Sequence, residues 1–307
     1  MKKILFYLFL SWIASGFSLG AHAQEIIPLY PDSIPNTTGY AMKEIIDGPP
    51  EDPDLYLSSV TPAIHVYLPK RRRATGEAVL IFPGGGYSAL VFRKEGILIA
   101  KAFARRGIAA FIVKYRLPSD SIMQDKRIGP LQDAQTAIRM VRSRAAAWNI
   151  DPRKIGVIGF SAGGHLAATL GTHFTKAYIP NPDSISLRPD FMILIYPVIS
   201  MQDSLTHGGS RENLLGDHPS ATDRALFSNE EQVTDQTPPT YLTQTEDDKI
   251  VSVGNSMIFY EALRRHGIPV EMHLYPKGDH GFVLKLPIAQ WLTPIITWMK
   301  TINGGVR

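Results

Sequence analysis

The chain of 307 residues contains no cysteine. Without thiols it cannot have a disulfide framework, a cysteine nucleophile or a lipid anchor attached to cysteine. Charge of one sign is not in large excess either, because 32 Lys and Arg residues face 28 Asp and Glu residues, for a net charge of +4. The four basic residues at 70–73 stand alone, without an aromatic platform or a second basic stripe. We interpret them as a solvated hairpin turn, and we expect no nucleic-acid partner.

The sequence also lacks the usual ligand motifs of metal and dinucleotide sites. It has no H-E-x-x-H spacing, and its glycine runs do not match G-x-G-x-x-G at a first strand-to-helix turn. Internal repeats and low-complexity segments are missing as well. We therefore expect a globular protein that needs no metal and no cofactor.

A long apolar run is found only near the start of the chain. Lys2 and Lys3 precede an apolar stretch to about Leu19, and the small residues Ala21 and Ala23 follow at the positions that a signal peptidase reads. The sequence predicts a signal peptide over 1–23, cleaved before Gln24, and hence an exported protein that is periplasmic or secreted. An uncleaved membrane anchor is the alternative, but the run is short for spanning, and no later segment resembles a span.

Residues 24–307 are predicted to form one catalytic domain in which apolar strands alternate with amphipathic helices. This order indicates a mostly parallel sheet with helices on both faces, and ligands bind beyond the carboxyl ends of such strands. Residues 24–60 are expected to be an N-terminal extension that packs on the surface. The polar segment 200–235 is predicted to border the ligand pocket as a partial lid. The predicted strands are 61–68, 77–82, 108–113, 155–158, 191–196, 240–245 and 270–275, and the predicted helices are 94–106, 130–148, 252–265, 287–300 and one that begins at Ser161.

Ser161 is the predicted nucleophile. It lies in a G-x-S-x-G segment, between the apolar strand at 155–158 and an Ala- and Leu-rich helical pattern. A serine at such a sharp turn is exposed at the top of the sheet, and side chains at Gly159 and Gly163 would collide with the neighbouring strand and helix. The helix N-terminus also favours a developing anion.

A serine hydroxyl needs a base and a group that orients the base. His280 is the predicted base, because it lies in a glycine-flanked loop after the last strand and follows the acids in the chain. The acid comes from Glu246, Asp247 and Asp248, which spacing alone does not separate. His165, four residues after Ser161, is expected to be a packing or helix-capping residue.

Residues 82–87 (FPGGGY) are predicted to supply the oxyanion hole. A tetrahedral intermediate needs N–H donors that no side chain obstructs, and the amides of Gly85, Gly86 and Ala162 are suitable. Tyr87 and Tyr196 are the predicted substrate-binding residues, since their rings could stack on a sugar or aryl ring, although ordinary packing is the alternative.

These segments together resemble the α/β-hydrolase superfamily, and within it the bacterial esterases and lipases that include carbohydrate and xylan acetyl esterases. The resemblance rests on 82–87 (FPGGGY), 130–139 (PLQDAQTAIR), 150–156 (IDPRKIG), 159–165 (GFSAGGH) and 278–282 (GDHGF). In that family the acid opens a D-x-x-V-P motif, which 248–252 (DKIVS) matches apart from its serine, so the resemblance implies Asp248. The family implies no cofactor and no metal. Pro83 and Gln244 stand where relatives have histidine, and these departures concern substrate choice.

The expected function is therefore hydrolysis of a small acyl ester, acetyl first, on a plant cell-wall carbohydrate such as xylan. A general carboxylesterase or a feruloyl-type esterase is the alternative. A serine exopeptidase-like hydrolase and a non-catalytic binding protein are the other classes considered. The first would carry a further propeller, for which the chain has no room, or an acidic pair that binds an N-terminus, and the second would lack a triad member. The partner is thus a small-molecule or oligosaccharide ester, and the oligomeric state is not readable from the sequence.

Overall fold

A computed structural model describes residues 25–304, so the predicted signal peptide lies outside the described residues. Within this range the chain forms ten strands and seven α-helices. The strands are β1 (Glu25–Pro28), β2 (Ile45–Asp47), β3 (Leu55–Ser58), β4 (Ala63–Tyr67), β5 (Ala78–Phe82), β6 (Ala109–Lys114), β7 (Ile155–Phe160), β8 (Met192–Ile195), β9 (Thr240–Thr245) and β10 (Val270–Tyr275). The helices are α1 (Leu98–Arg105), α2 (Gly129–Ser143), α3 (Ser161–His173), α4 (Gly208–Leu215), α5 (Ala221–Phe227), α6 (Gly254–Arg265) and α7 (Ile288–Gly304).

Eight of these strands form one sheet in the order β1-β4-β6-β5-β7-β8-β9-β10. The pairs β1–β4 and β4–β6 are antiparallel, and every pair from β6 to β10 is parallel. The central strands β5 and β7 are buried at every residue, as expected for a sheet covered by helices on both faces. The mostly parallel sheet predicted from the sequence is confirmed.

The N-terminal segment is more closely integrated than the sequence indicated. Residues 25–28 form β1, which pairs with β4 and extends the sheet by one strand. Farther along, the hydroxyl of Tyr30 donates to Asp133 at 2.9 Å, and Asp133 forms a fully buried ion pair with Arg116. Residues 45–47 and 55–58 form a separate two-stranded sheet. Part of the expected surface extension is therefore part of the main sheet and its core contacts.

The helix predicted over 94–106 begins with an irregular turn. Residues Arg93–Ile97 have π-helical hydrogen bonding, and α1 continues directly from them. This wider turn places Glu95 in the interior, where it is 4% exposed, although charged residues precede it. π-helical turns occur often at functional sites, and Glu95 lies within this one.

Candidate active site

Ser161 lies at the junction of β7 and α3 in a conformation that few residues adopt. Its φ is 51°, in the left-handed region, while Phe160 before it is extended. A Cβ on Gly159 would meet the carbonyl of Gly163, and a Cβ on Gly163 would meet the carbonyls of Phe82 and Pro83 at the end of β5. The steric reason given for the G-x-S-x-G spacing is therefore present in the structure.

Ser161, His280 and Asp248 form a continuous hydrogen-bonded chain. The Nε2 atom of His280 lies 3.0 Å from the Oγ of Ser161, and its Nδ1 lies 2.8 Å from the Oδ2 of Asp248. The Asp248 side chain is fully buried, whereas the His280 side chain is 20% exposed. The imidazole can thus reach a substrate while the carboxylate that orients it is shielded from water.

The geometry selects Asp248 from the three adjacent carboxylates. Glu246 is exposed, and Asp247 accepts a hydrogen bond from the backbone N–H of Asp279 at 2.8 Å. Asp247 therefore shapes the loop that carries His280 but does not contact the imidazole in the way that Asp248 does.

Asp248 is held as an anion by its hydrogen bonds. Burial alone would raise the pKa of this carboxyl, but the hydrogen bond with His280 and those from the N–H groups of Val251 and Ile250 outweigh it, so the pKa is lowered. Both of these backbone bonds are 2.9 Å long and end on Oδ1. The side-chain amide of Gln244 adds a contact of 3.2 Å to Oδ2. An anion fixed in this way can stabilise a positively charged imidazole.

The loop after β5 at residues 84–86, here called the glycine loop, places unused N–H groups near Ser161. The amides of Gly85 and Gly86 make no hydrogen bond to the rest of the described chain, and Ala162 is in the first turn of α3, where amides have no partner within the helix. A Cβ on Gly84 would lie 2.9 Å from the Cβ of Ser161, which shows how closely this loop approaches the serine. The amides predicted for the oxyanion hole are therefore available as donors.

Glu95 is a buried residue of this site that sequence reasoning missed. Its Oε2 accepts the N–H of Gly84 at 2.7 Å, and its Oε1 bonds the hydroxyl of Tyr196 at 2.8 Å. Burial raises the pKa of Glu95, although the hydrogen bonds from Gly84 and Tyr196 and the charge of His280 act in the opposite direction. The ring of Tyr196 in turn packs against His280, with 4.7 Å between ring centroids. One carboxyl group thus connects the glycine loop with the residue that supports the histidine.

The expectation that Tyr87 and Tyr196 stack on substrate needs correction. Tyr87 is 2% exposed and Tyr196 is fully buried, so neither ring is open to a ligand. The hydroxyl of Tyr87 bonds the Nδ1 of His165 at 2.9 Å, and the Nε2 of His165 donates to the carbonyl of Phe227 at 2.8 Å. Both tyrosines pack beneath the site and stabilise it through their buried contacts. The predicted packing role of His165 is confirmed. The sequence around a tyrosine that follows a glycine turn or a strand does not indicate which group its hydroxyl will bond.

The segment 200–235 contacts the glycine loop through α4. Asn213 donates its side-chain amide to the carbonyl of Gly86 at 2.8 Å. His207, at the start of the same helix, lies beside Gly86, with its Cε1 4.0 Å from where a Cβ of that glycine would be. The segment therefore borders the site, and its function as a lid stays a prediction.

Over residues 25–304, no three histidine or carboxylate side chains come together in a way that could hold a metal ion. In the same range, no helix has the length and apolar character needed to cross a bilayer.

Comparison with known proteins places this geometry in a family. The model of the BD-FAE family matches residues 64–263. The chain is 40% identical over 211 residues to an endo-1,4-beta-xylanase B of Butyrivibrio fibrisolvens, with 68% of this chain and 33% of the relative covered. It is 36% identical over 235 residues to an acetylxylan esterase of Xylanibacter ruminicola, with 74% of this chain and 46% of the relative covered. The chain thus spans between a third and half of the length of these two relatives.

A solved structure supports the same assignment. The acetyl ester-xyloside bifunctional hydrolase of Caldicellulosiruptor lactoaceticus is 35% identical, with a TM-score of 0.76 and coverage of 92% of this chain and 97% of that chain. The family match covers more than half of the present chain, and the sheet order agrees with the fold that the sequence predicted. The chain therefore belongs to the BD-FAE family and has the α/β-hydrolase fold.

Proposed function

We propose that this protein is a serine esterase that removes small acyl groups, with acetyl as the preferred one, from xylan-type carbohydrate. The observation that carries the proposal is the hydrogen-bonded chain from Ser161 through His280 to Asp248, with contacts of 3.0 and 2.8 Å. The similarity to an acetylxylan esterase and to an acetyl ester-xyloside bifunctional hydrolase supports an acetyl ester and a xylan-type sugar as the substrate.

The proposed reaction has two steps. The Oγ of Ser161 attacks the ester carbonyl carbon while the Nε2 of His280 takes its proton. The carbonyl oxygen becomes an oxyanion that the N–H groups of Gly85, Gly86 and Ala162 stabilise. The bond to the alcohol oxygen then breaks, and His280 returns the proton to that oxygen. Water, deprotonated by His280, attacks the acyl-enzyme, and the carboxylic acid leaves as Ser161 regains its proton.

Asp248 acts through the imidazole. Its hydrogen bond to Nδ1 fixes the neutral ring with Nε2 free to accept the serine proton, and its negative charge stabilises the imidazolium that forms. The lowered pKa of Asp248 keeps it ionised while His280 cycles.

We also propose that the protein is exported after cleavage near Ala23, because a basic start, an apolar run and two suitably spaced alanines precede that position. Expression in a Gram-negative host with its own N-terminus, followed by mass spectrometry of the mature protein, tests this. A mature chain that begins at Gln24 supports the proposal, and a chain that retains residues 1–23 contradicts it.

The activity is tested by incubating the protein with acetylated xylo-oligosaccharides and with p-nitrophenyl acetate, butyrate and octanoate, beside Ser161→Ala. Acetate release from the oligosaccharides that depends on Ser161 supports the full proposal. Activity on the synthetic esters alone would support the mechanism but contradict the carbohydrate substrate. It would favour a general carboxylesterase or a feruloyl-type esterase. Faster turnover of aminoacyl amides than of esters would indicate a peptidase. Failure to react with a fluorophosphonate probe would indicate a non-catalytic protein.

A further inference from the structure

His207 has one ring nitrogen committed to the fold and one that is unused. As the N-cap of α4, it accepts the backbone N–H of Ser210 on Nδ1 at 3.3 Å, and the Oγ of Ser210 lies 2.8 Å from the same atom. Burial lowers the pKa of His207, and the charge of His280 lowers it further, while Asp248 acts in the opposite direction. The ring is therefore neutral near pH 7. Because Nδ1 is the acceptor, the single proton lies on Nε2.

The Nε2–H of His207 has no hydrogen-bond partner among residues 25–304. The ring is half-buried beside Gly86, whose amide is a proposed oxyanion donor. Helix α4 is held against this loop by the bond from Asn213 to the carbonyl of Gly86. A half-buried donor with no partner, fixed by a helix cap next to the reaction centre, has the geometry of a substrate contact.

We infer that His207 is a specificity-determining residue that donates its Nε2–H to an oxygen of the alcohol part of the substrate. An acetyl group has one polar atom, its carbonyl oxygen, and the oxyanion hole takes that atom. The remaining acceptors on an acetylated sugar are the hydroxyl and ring oxygens near the ester, so a donor at the rim distinguishes a carbohydrate ester from a simple alkyl or aryl acetate. The inference rests on the proposed esterase function.

His207→Asn is the sharpest substitution. Asparagine is a good N-cap and can still accept the N–H of Ser210, but it is too short to carry an N–H to the position of Nε2. The measured quantity is the ratio of kcat/KM for acetylated xylo-oligosaccharides to kcat/KM for p-nitrophenyl acetate. The loss of one neutral hydrogen bond should lower this ratio by roughly tenfold. His207→Gln extends an amide N–H toward the original position and should recover part of the ratio.

Ser220→Ala is the matched control, because it removes the N-cap of α5 in the same segment, where the Oγ of Ser220 accepts the N–H of Asp223 at 3.0 Å. It should leave the ratio unchanged. An equal loss on both substrates in His207→Asn and His207→Gln would overturn the inference, since a structural role acts on both alike. If His207→Asn does not fold, His207→Gln and His207→Phe replace it. A kcat/KM ratio that is unchanged in both of these folded variants overturns the inference.

The wild-type protein separates the two proposals. If the wild type releases acetate from the oligosaccharides but no His207 variant changes the kcat/KM ratio, the esterase function is supported and the proposed role of His207 is contradicted. A wild-type protein that hydrolyses p-nitrophenyl acetate but no carbohydrate ester overturns the sugar substrate and this inference with it. A wild-type protein with no esterase activity overturns the function itself.

Discussion

Replacement of Glu95 tests whether a buried carboxyl group, which bonds Gly84 and Tyr196 and not the triad itself, sets the geometry of the site. Glu95→Ala leaves two buried donors, the N–H of Gly84 and the hydroxyl of Tyr196, without their acceptor. Each unsatisfied buried group costs about 1–3 kcal/mol, so we expect the free energy of unfolding to fall by about 2–6 kcal/mol. The free energy of unfolding of a domain is commonly larger than this loss, so we expect Glu95→Ala to remain folded at low temperature.

The effect on activity has a separate origin. The Gly84 peptide fixes the start of the loop that carries the amides of Gly85 and Gly86, so its release should misplace these donors. The loss of one oxyanion donor lowers kcat by about 10²- to 10³-fold in other serine hydrolases, and we expect about 10²-fold here. KM should change by less than about threefold, because the donors act mainly on the transition state.

Glu95→Gln is the conservative counterpart. The amide oxygen can accept the N–H of Gly84, and the amide nitrogen can donate to the hydroxyl oxygen of Tyr196, so both bonds are kept. We expect kcat within about fivefold of the wild type, since geometry and not charge is the contribution of Glu95. The assay is hydrolysis of p-nitrophenyl acetate with kcat and KM determined separately, together with urea unfolding.

Glu77 provides the control, because it is also a buried glutamate, 8% exposed, and accepts a hydrogen bond from Asn303 at 2.7 Å. It precedes β5 at the end opposite to the glycine loop. Glu77→Ala should lower stability and leave kcat unchanged. The reasoning fails if folded Glu95→Ala retains kcat within threefold of the wild type, or if Glu77→Ala lowers kcat as much as Glu95→Ala does.

The remaining predictions concern the triad and the pH dependence of stability. Ser161→Ala should lower turnover by about three to six orders of magnitude and abolish fluorophosphonate labelling, and a folded variant with a tenth of the wild-type rate would contradict the nucleophile. Asp248→Asn should lower kcat by about 10³- to 10⁴-fold, whereas Asp247→Asn should cost less than tenfold; the opposite order would exchange their roles. Burial lowers the pKa of His65 from 6.5 to about 4, so the unfolded chain binds a proton there that the folded chain does not. As the pH falls from 7 to 4, the free energy of unfolding should therefore drop by about 3 kcal/mol from this ring, and urea unfolding of His65→Phe should lack that part of the drop.

The sequence predicted the local parts of this site well, because their signals are local. The strands β9 and β10 were expected at 240–245 and 270–275, and these are their bounds in the structure. The turn at Ser161 is also recognisable, since the serine and the two glycines that it requires fall within five neighbouring residues. Asp248 needed the family resemblance, because three adjacent carboxylates differ only in the direction that the loop gives them.

Glu95 shows why the rest was not predictable. It follows two basic residues at the start of a helix, a context typical of an exposed side chain. Its partners are 11 and 101 residues away, and the π-helical turn that directs it inward has no established sequence signature. For β1 the reason is length, since four residues that end in a proline are too few for periodicity, and pairing with β4 decides the structure.

The proposed reacting groups and the proposed substrate contact lie on different loops of the site. Ser161, Asp248 and His280 follow β7, β9 and β10, whose parallel pairing brings their carboxyl ends to one edge of the sheet. Hydrogen bonds between loops, such as the one from the N–H of Asp279 to Asp247, fix these positions from within. The segment 200–235 contains none of the proposed reacting groups and meets the site at Gly86, through His207 and Asn213. On the proposed function, substitution of His207 should therefore change which alcohol is accepted without moving the triad, whereas changes at the strand ends should alter the reaction for every substrate.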